Sequence, residues 1–280
     1  MEAVSRTAQW TAAARALESE REDRLFNDPY ARTVAADTGF DLLKRYAGAG
    51  TVPFLAIRTK YLDEAITRTV AERGIRQVVF LAAGMDTRFY RLPWPDGVTV
   101  YELDRPALLE AKARMLANEP VPANRTRRAI AVDLTDDRWT GALKEAGWRS
   151  EEPVLWVVEG LLFFLTEDSV RTLLATLSGS SPAGSVLVGD LISRAALDNP
   201  LSRPFLSALA EDGNPWLFGT DEPERLLEDT GWSPREVKQP GEEGADFGRW
   251  PYPVPPRQVP GVPRSFLFTC DLRTTEETTS

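Results

Sequence analysis

The chain has 280 residues, 42% of them hydrophobic and 27% charged, the balance of a globular protein long enough to bury a sizeable core. Its formal net charge is −9, with no block of basic residues, which argues against a protein built to grip nucleic-acid phosphates or anionic lipid. It has no histidine and a single cysteine, Cys270, which excludes Ser-His-Asp and Cys-His catalysis, histidine-ligated and cysteine-based metal sites, and an intramolecular disulfide.

The first residues, MEAVSRTAQW, hold no apolar run of a secretory signal. The longest apolar stretch, Val154 to Leu165, is interrupted by Glu159 and too short to span a bilayer. A cytoplasmic protein with a small-molecule substrate and no nucleic-acid or membrane partner is the expectation. Residues 1–74 read as helical. TAQWTAAARALESER is rich in strong helix formers, and NDPYARTVAAD offers Asn27 or Asp28 as a cap with Pro29 just inside. VPFLAIRTKYLDEAITRTVAERG sets Phe54, Ile57, Tyr61, Leu62, Ala65 and Ile66 at helical spacing and ends on Gly74.

From Gln77 short apolar runs alternate with helical patterns: strands in QVVFLA, VTVYELD, RAIAVDL, PVLWVVE and GSVLVGDLI, and helices opening at Pro106, within DDRWTGALKEAG, and in TEDSVRTLLATL. DEPERLLEDTG, WSPREV and RSFLFTCDL add a helix and two late strands. Such alternation predicts right-handed crossovers and a mostly parallel sheet with helices on both faces. The Pro- and Gly-rich segment 238–263 is too aromatic for a simple linker and is expected to be an ordered loop over a site or a surface strap. The expected organisation is a helical cap over 1–74 contributing to the active site, an α/β core over 75–272 forming one folding unit with it, and a disordered tail over 273–280.

In an open parallel sheet, ligands bind beyond the carboxyl ends of the strands. Here those ends are Gly84 after the first strand, Glu102 and Asp104 at the second, Asp133 after the third and Glu159 after the fourth. A carboxylate after the second strand suits ribose hydroxyls, and either Glu102 or Asp104 can take that role, Asp104 being preferred. The first turn, however, lacks the G-x-G-x-x-G that lets a backbone approach a pyrophosphate, which weakens a nicotinamide or flavin reading. A phosphate-free nucleoside cofactor such as S-adenosylmethionine tolerates the single Gly84. Methyl transfer from it needs positioning for in-line attack rather than a histidine.

TAAARALESEREDRLFNDPYA, IRTKYLD, VVFLAAGMDTRFYRLPWP, VYELDRP, VDLTDDRWTGALKEAGW and PVLWVVEGLLFFLTED run in an order that resembles the leucine carboxyl methyltransferase family, especially its actinobacterial branch. The resemblance implies a class I methyltransferase, Rossmann-like sheet with an N-terminal helical extension and a C-terminal antiparallel strand. It implies S-adenosylmethionine as cofactor, S-adenosylhomocysteine as product and no metal. By the same resemblance Arg58 meets the cofactor's carboxylate, Gly84 passes close to its methionine part, Asp104 binds its ribose, Asp133 and Leu134 lie beside adenine, and Glu159 is the acid opening EGLL. Where family members often carry tyrosine, Phe164 stands here, so the acceptor must be oriented by another group.

The reaction expected is O-methylation of a small-molecule carboxylate or hydroxyl in secondary metabolism, with Tyr61, Arg88, Arg249 and Tyr252 as candidates to position the acceptor. A carboxylate is already nucleophilic and needs no base. A methyltransferase fold reused for a non-methylating reaction or for cofactor binding is the second reading. Asp86 and Arg88 are expected to pair and brace the turn. Phe163, Phe164, Trp94, Trp139 and Cys270 are expected in the core.

Overall fold

The computed structural model describes residues 3–46, 48 and 50–273; of the expected tail over 273–280, residues 274–280 lie outside them. In chain order the elements are α1 (Ala3–Ser19), α2 (Ala31–Tyr46), α3 (Thr51–Arg73), β1 (Gln77–Leu81), α4 (Arg88–Arg91), β2 (Val98–Asp104), α5 (Pro106–Met115), β3 (Arg125–Ala131), α6 (Trp139–Glu145) and β4 (Val154–Val158). They continue with α7 (Glu167–Gly179), β5 (Val186–Ile192), α8 (Arg194–Asp198), α9 (Arg203–Glu211), α10 (Pro223–Asp229), β6 (Trp232–Lys238) and β7 (Ser265–Leu272).

The seven strands form one sheet in the order β3-β2-β1-β4-β5-β7-β6. β1 to β5 pair in parallel, and β7 runs antiparallel between β5 and β6. The order turns back between β1 and β4, the switch point at which open sheets leave a crevice. Period-two alternation divides the strands' side chains between two cores. Val78, Phe80, Val100, Leu155, Val157 and Val188 pack under Ile57, Leu62, Ile66 and Val70 of α3. Leu81, Leu103, Trp156, Val158 and Phe268 pack against α6, α7 and α10 through Leu143, Leu174 and Leu227. Each such fully buried aliphatic contributes about 1.5–3 kcal/mol.

The helical segment 1–74 divides by what it touches. α3 is a layer of the sheet, closed by Gly74 in the left-handed region at φ 66°. α1 and α2 form a third core with Leu55, Met85 and Leu108, above the carboxyl ends of β1 and β2. Ion pairs fasten that layer: Asp28, just before α2, accepts from Arg15 at 3.0 Å and from the Thr87 hydroxyl at 2.7 Å. That carboxylate therefore ties α1 to the turn after β1 as well as closing the turn into α2, where it also accepts the Tyr30 N–H.

Candidate active site

β1 ends in a turn where Ala82 and Gly84 both take positive φ, 54° and 49°. An alanine in that region holds local strain, which a functional turn often retains. The result is that the Gly84 N–H points at Asp104 Oδ2, 2.7 Å away. Asp104 Oδ1 accepts the Arg105 N–H, also at 2.7 Å. Burial pushes the Asp104 carboxyl up, against the opposing pull of those two N–H groups. Two backbone donors occupy half of a carboxylate's four acceptor sites, so two stay open toward the cavity that Asp104 lines. Glu102, two residues earlier, is spent: Lys112 stands 2.9 Å away and Arg127 2.6 Å.

Below this turn runs a continuous chain of ion pairs. Arg15 meets Asp28 (3.0 Å), Asp28 meets Arg91 (3.7 Å), and Arg91 and Arg88 share Asp63, each at 2.6 Å. Arg88 also binds Asp86 and Glu159, and Glu159 shares Arg58 with Asp190, each at 2.9 Å. Arg15, Arg58, Arg88 and Arg91 thus face Asp28, Asp63, Asp86, Glu159 and Asp190, four cations against five carboxylates. Burial works against charge on Glu159, but Arg88 and Arg58 outweigh it and hold its carboxyl low. At Asp190 burial prevails and raises it. Gly160 follows at φ 65°, its N–H 2.6 Å from Asp190; a Cβ there would lie 3.4 Å from Arg58 Nη1.

Arg15, Arg58, Gly84, Asp86, Asp104, Glu159 and Gly160 line one cavity of about 920 Å³, and the other members of the ion-pair chain do not reach its wall; the volume is within the size range of small-molecule sites, ~300–1,000 Å³. All six positions expected to hold the cofactor, Arg58, Gly84, Asp104, Asp133, Leu134 and Glu159, are on its wall. Asp133 is exposed and closes its own turn by accepting the Thr135 N–H and hydroxyl at 2.9 and 2.7 Å; Leu134 is half-buried against the sheet core. This set fits S-adenosylmethionine: open acceptor sites on Asp104 for a ribose diol, apolar side chains beyond β3 for a purine, and an ion-pair chain with one surplus negative charge for a ligand of net positive charge.

The acceptor candidates separate. Tyr252 lines the cavity mouth and is 43% exposed. Tyr61, Arg88 and Arg249 do not reach the wall. Tyr61 is buried between α3 and the late strands, its hydroxyl 3.2 Å from Thr269 and 3.3 Å from Glu236. Arg88 is enclosed by three carboxylates and pairs with Asp86, bracing the turn. Arg249 anchors the Pro-rich segment to the end of α1 through Glu18 (2.8 Å) and Asp23 (2.9 Å).

Of Phe163 and Phe164, both expected in the core, Phe163 is buried there, and both also line the cavity, carried to its wall by the turn after β4. Trp94, Trp139 and Cys270 are core residues. The Pro-rich segment does line the site, through Gln239, Trp250, Tyr252, Val254 and Val262. Sequence reasoning passed over Asp190, the α8–α9 segment, which supplies Leu201 and Phe205 to the wall, and the loop after α9, which supplies Trp216. Signals existed: a lone acid inside the apolar run VLVGDLI, and Ser193 and Pro204 at helix starts.

The leucine carboxyl methyltransferase family model matches residues 8–178. A Streptomyces coelicolor protein named "Putative S-adenosyl-L-methionine-dependent methyltransferase" is 39% identical over 230 residues, 76% of this chain and 81% of the relative. A Mycobacteroides abscessus protein of the same name is 36% identical over 265 residues, 88% of each. Among solved structures, a DUF574 family protein from Streptomyces avermitilis superposes with TM-score 0.62 at 13% identity, covering 93% of this chain and 96% of that one. A Thermobifida fusca protein described as "a putative methyltransferase" gives 0.59 at 19% identity, covering 93% and 94%. These two share the fold. Together with the family match over the site-bearing residues, the chain belongs to the leucine carboxyl methyltransferase family of S-adenosylmethionine-dependent methyltransferases.

Proposed function

We propose that the chain methylates an oxygen of a small-molecule acceptor, a carboxylate, in cytoplasmic secondary metabolism. The observation that supports this most is the state of the acids on the cavity wall. Asp86 is held by Arg88, Glu159 by Arg88 and Arg58, Asp104 by two backbone N–H groups and Asp133 by Thr135. Asp86 and Glu159 are kept low despite burial, by arginines. With no histidine in the chain, and with Asp104 taken up by the ribose in this reading, these wall acids leave no free base to take a proton from an acceptor, so the acceptor arrives as a nucleophile.

When bound, S-adenosylmethionine supplies a methyl group on a sulfonium: the acceptor oxygen forms the new O–C bond, the C–S bond breaks with its electron pair left on sulfur, and no proton moves. Asp104 would hold the ribose hydroxyls and Leu134 the purine, while Arg58 and Glu159 meet the amino-acid end. Their mutual ion pairs fix both side chains before any ligand arrives, so the residues' contribution to rate is positioning. Phe163, Phe164 and the 238–263 strap shield the reacting atoms from water.

Incubating the protein with methyl-labelled cofactor and a panel of carboxylic acids tests this. The expected product is a base-labile labelled ester together with S-adenosylhomocysteine. Cofactor-dependent thermal stabilisation without S-adenosylhomocysteine release on any acid would refute the reading and favour a fold reused for another reaction.

A further inference from the structure

The outer half of the cavity has a composition of its own. Phe163 and Trp216 pack with ring centroids 4.3 Å apart and planes tilted by 45°, and Phe205 meets Trp216 edge-on at 5.0 Å. Trp216 Nε1 has no hydrogen-bond partner among the described residues. Outward of these rings the rim is apolar and wet: Leu201 is 91% exposed and Leu217 52%. Clustered exposed apolar side chains around an opening mark a surface meant to be covered.

Four cations line the cavity: Arg15, Arg58, Arg105 and Arg264. Arg15 is paired with Asp28, and Arg58 with Glu159 and Asp190. Arg105 stands exposed in the field of Asp104 and Asp133, at the cofactor end. Arg264 differs. Its guanidinium donates to the carbonyls of Val262 (3.0 Å), Pro256 (2.8 Å) and Val259 (2.9 Å), and no carboxylate among the described residues pairs with it. Nε has no partner. Carbonyls orient a guanidinium but bring no countercharge, and three of its five N–H groups are used. A half-buried cation on the cavity wall is thereby left with no carboxylate among the described residues and with two N–H groups unused, chemistry that suits an anionic ligand group.

We propose that Arg264 receives the carboxylate of the acceptor, and that the acceptor's body is a broad, apolar, aromatic ring system lying against Trp216, Phe205 and Phe163. This deepens the carboxylate reading above and rests on it for the reaction, though not for the binding. Short polar acids such as acetate or malonate leave the aromatic wall and the Leu201–Leu217 rim uncovered. Arg264 is set on the chain just before β7, with its backbone pinned on both sides: the Ser193 N–H donates to its carbonyl at 2.9 Å, and its own N–H donates to the Ser193 hydroxyl at 2.8 Å. The charge therefore sits on a fixed post, oriented by carbonyls of the strap that lines the cavity beside it.

The test is calorimetric binding, with S-adenosylhomocysteine present, of naphthoic acid, its neutral carboxamide and acetate to the wild type, Arg264→Gln, Arg264→Lys and Trp216→Ala. Wild type is expected to prefer the acid over the amide. Arg264→Gln should lower affinity for the acid about 10- to 100-fold, the worth of a hydrogen-bonded charge, and leave the amide unchanged. Arg264→Lys should recover part of the acid's affinity, and Trp216→Ala should weaken acid and amide alike.

Equal loss of acid and amide binding in Arg264→Gln would overturn the assignment, leaving Arg264 a clip for the strap. So would binding and methylation of acetate with none of naphthoic acid, an outcome that spares methyl transfer to carboxylates. Arg264-dependent binding of naphthoic acid with no labelled ester supports the assignment and counts against the reaction instead.

Discussion

Replacing Arg58 by methionine removes the one cation shared by Asp190 and Glu159. Methionine keeps the apolar stem and loses the guanidinium, so the loss is chiefly electrostatic. Glu159 retains Arg88 at 2.6 Å, but Asp190, whose side chain is fully buried, keeps only the Gly160 N–H at 2.6 Å. Stranding one partner of a buried pair costs about 3–5 kcal/mol. Protonation offers Asp190 an escape. From an ordinary aspartate value near 3.9, taking a proton at pH 7 costs about 4 kcal/mol, so the loss should settle at about 3–4 kcal/mol.

For a domain of this size that is a fall in Tm of roughly 6–16 °C, measured by calorimetry alongside urea unfolding. The sign with pH is fixed as well. Asp190 is already raised by burial, and without Arg58 it rises further; a raised acid penalises the fold above its folded pKa and releases that penalty as pH falls through it. The deficit of Arg58→Met should therefore shrink between pH 7 and pH 5, and Arg58→Met with Asp190→Asn should recover more than half of it. A single variant within about 1 kcal/mol of wild type, a typical surface substitution, or a double variant as unstable as the single, would refute the ion-pair account.

Asp104→Asn should weaken S-adenosylhomocysteine binding about 10- to 100-fold by calorimetry, because the amide sets an NH₂ against the Gly84 or Arg105 N–H and accepts fewer ribose hydroxyls; unchanged affinity would displace Asp104 from the site. Gly84→Ala places a Cβ at φ 49°, 3.2 Å from the Ala8 Cβ, and should cost about 1–2 kcal/mol in urea unfolding; wild-type stability would mean the turn is relaxed. Acid stability follows from the lowered carboxyls. Asp28, Asp86 and Glu159 are each opposed by burial, yet lie below their ordinary range because of arginines. The stability they lend is complete above about pH 4–5 and is lost as pH falls below that range. Burial raises Asp104 and Asp190, so their protonation works in the opposite direction first. A major unfolding transition between pH 5 and 7 would contradict this.

The strand-end residues were legible because a βα alternation fixes where each strand stops, and in a parallel sheet the stops share one edge. Gly84, Asp104, Asp133 and Glu159 follow from that rule alone. What escaped depends on three-dimensional company. Arg58 is marked by the family resemblance and not by its pattern; its partner Asp190 shows only once α3 is seen to lie on the sheet. Tyr61 and Arg249 have suitable chemistry, yet Tyr61 faces the late strands and Arg249 faces α1. Arg264 has no sequence mark at all: its distinction is the absence of a carboxylate neighbour. Phe163 and Phe164 read as core, and Phe163 is buried, but an apolar run cannot say that its end also faces a cavity. α8 and α9 were readable from Ser193 and Pro204 but lay between stronger patterns.

The claim that the acceptor supplies its own nucleophile is tested most directly by single-turnover methyl transfer to a carboxylic acid across pH 6 to 9. A carboxylate is fully ionised throughout that range, and no side chain of the wall takes a proton, so the rate should be flat. A rate that climbs tenfold per pH unit, or transfer to phenols with none to acids, would contradict it.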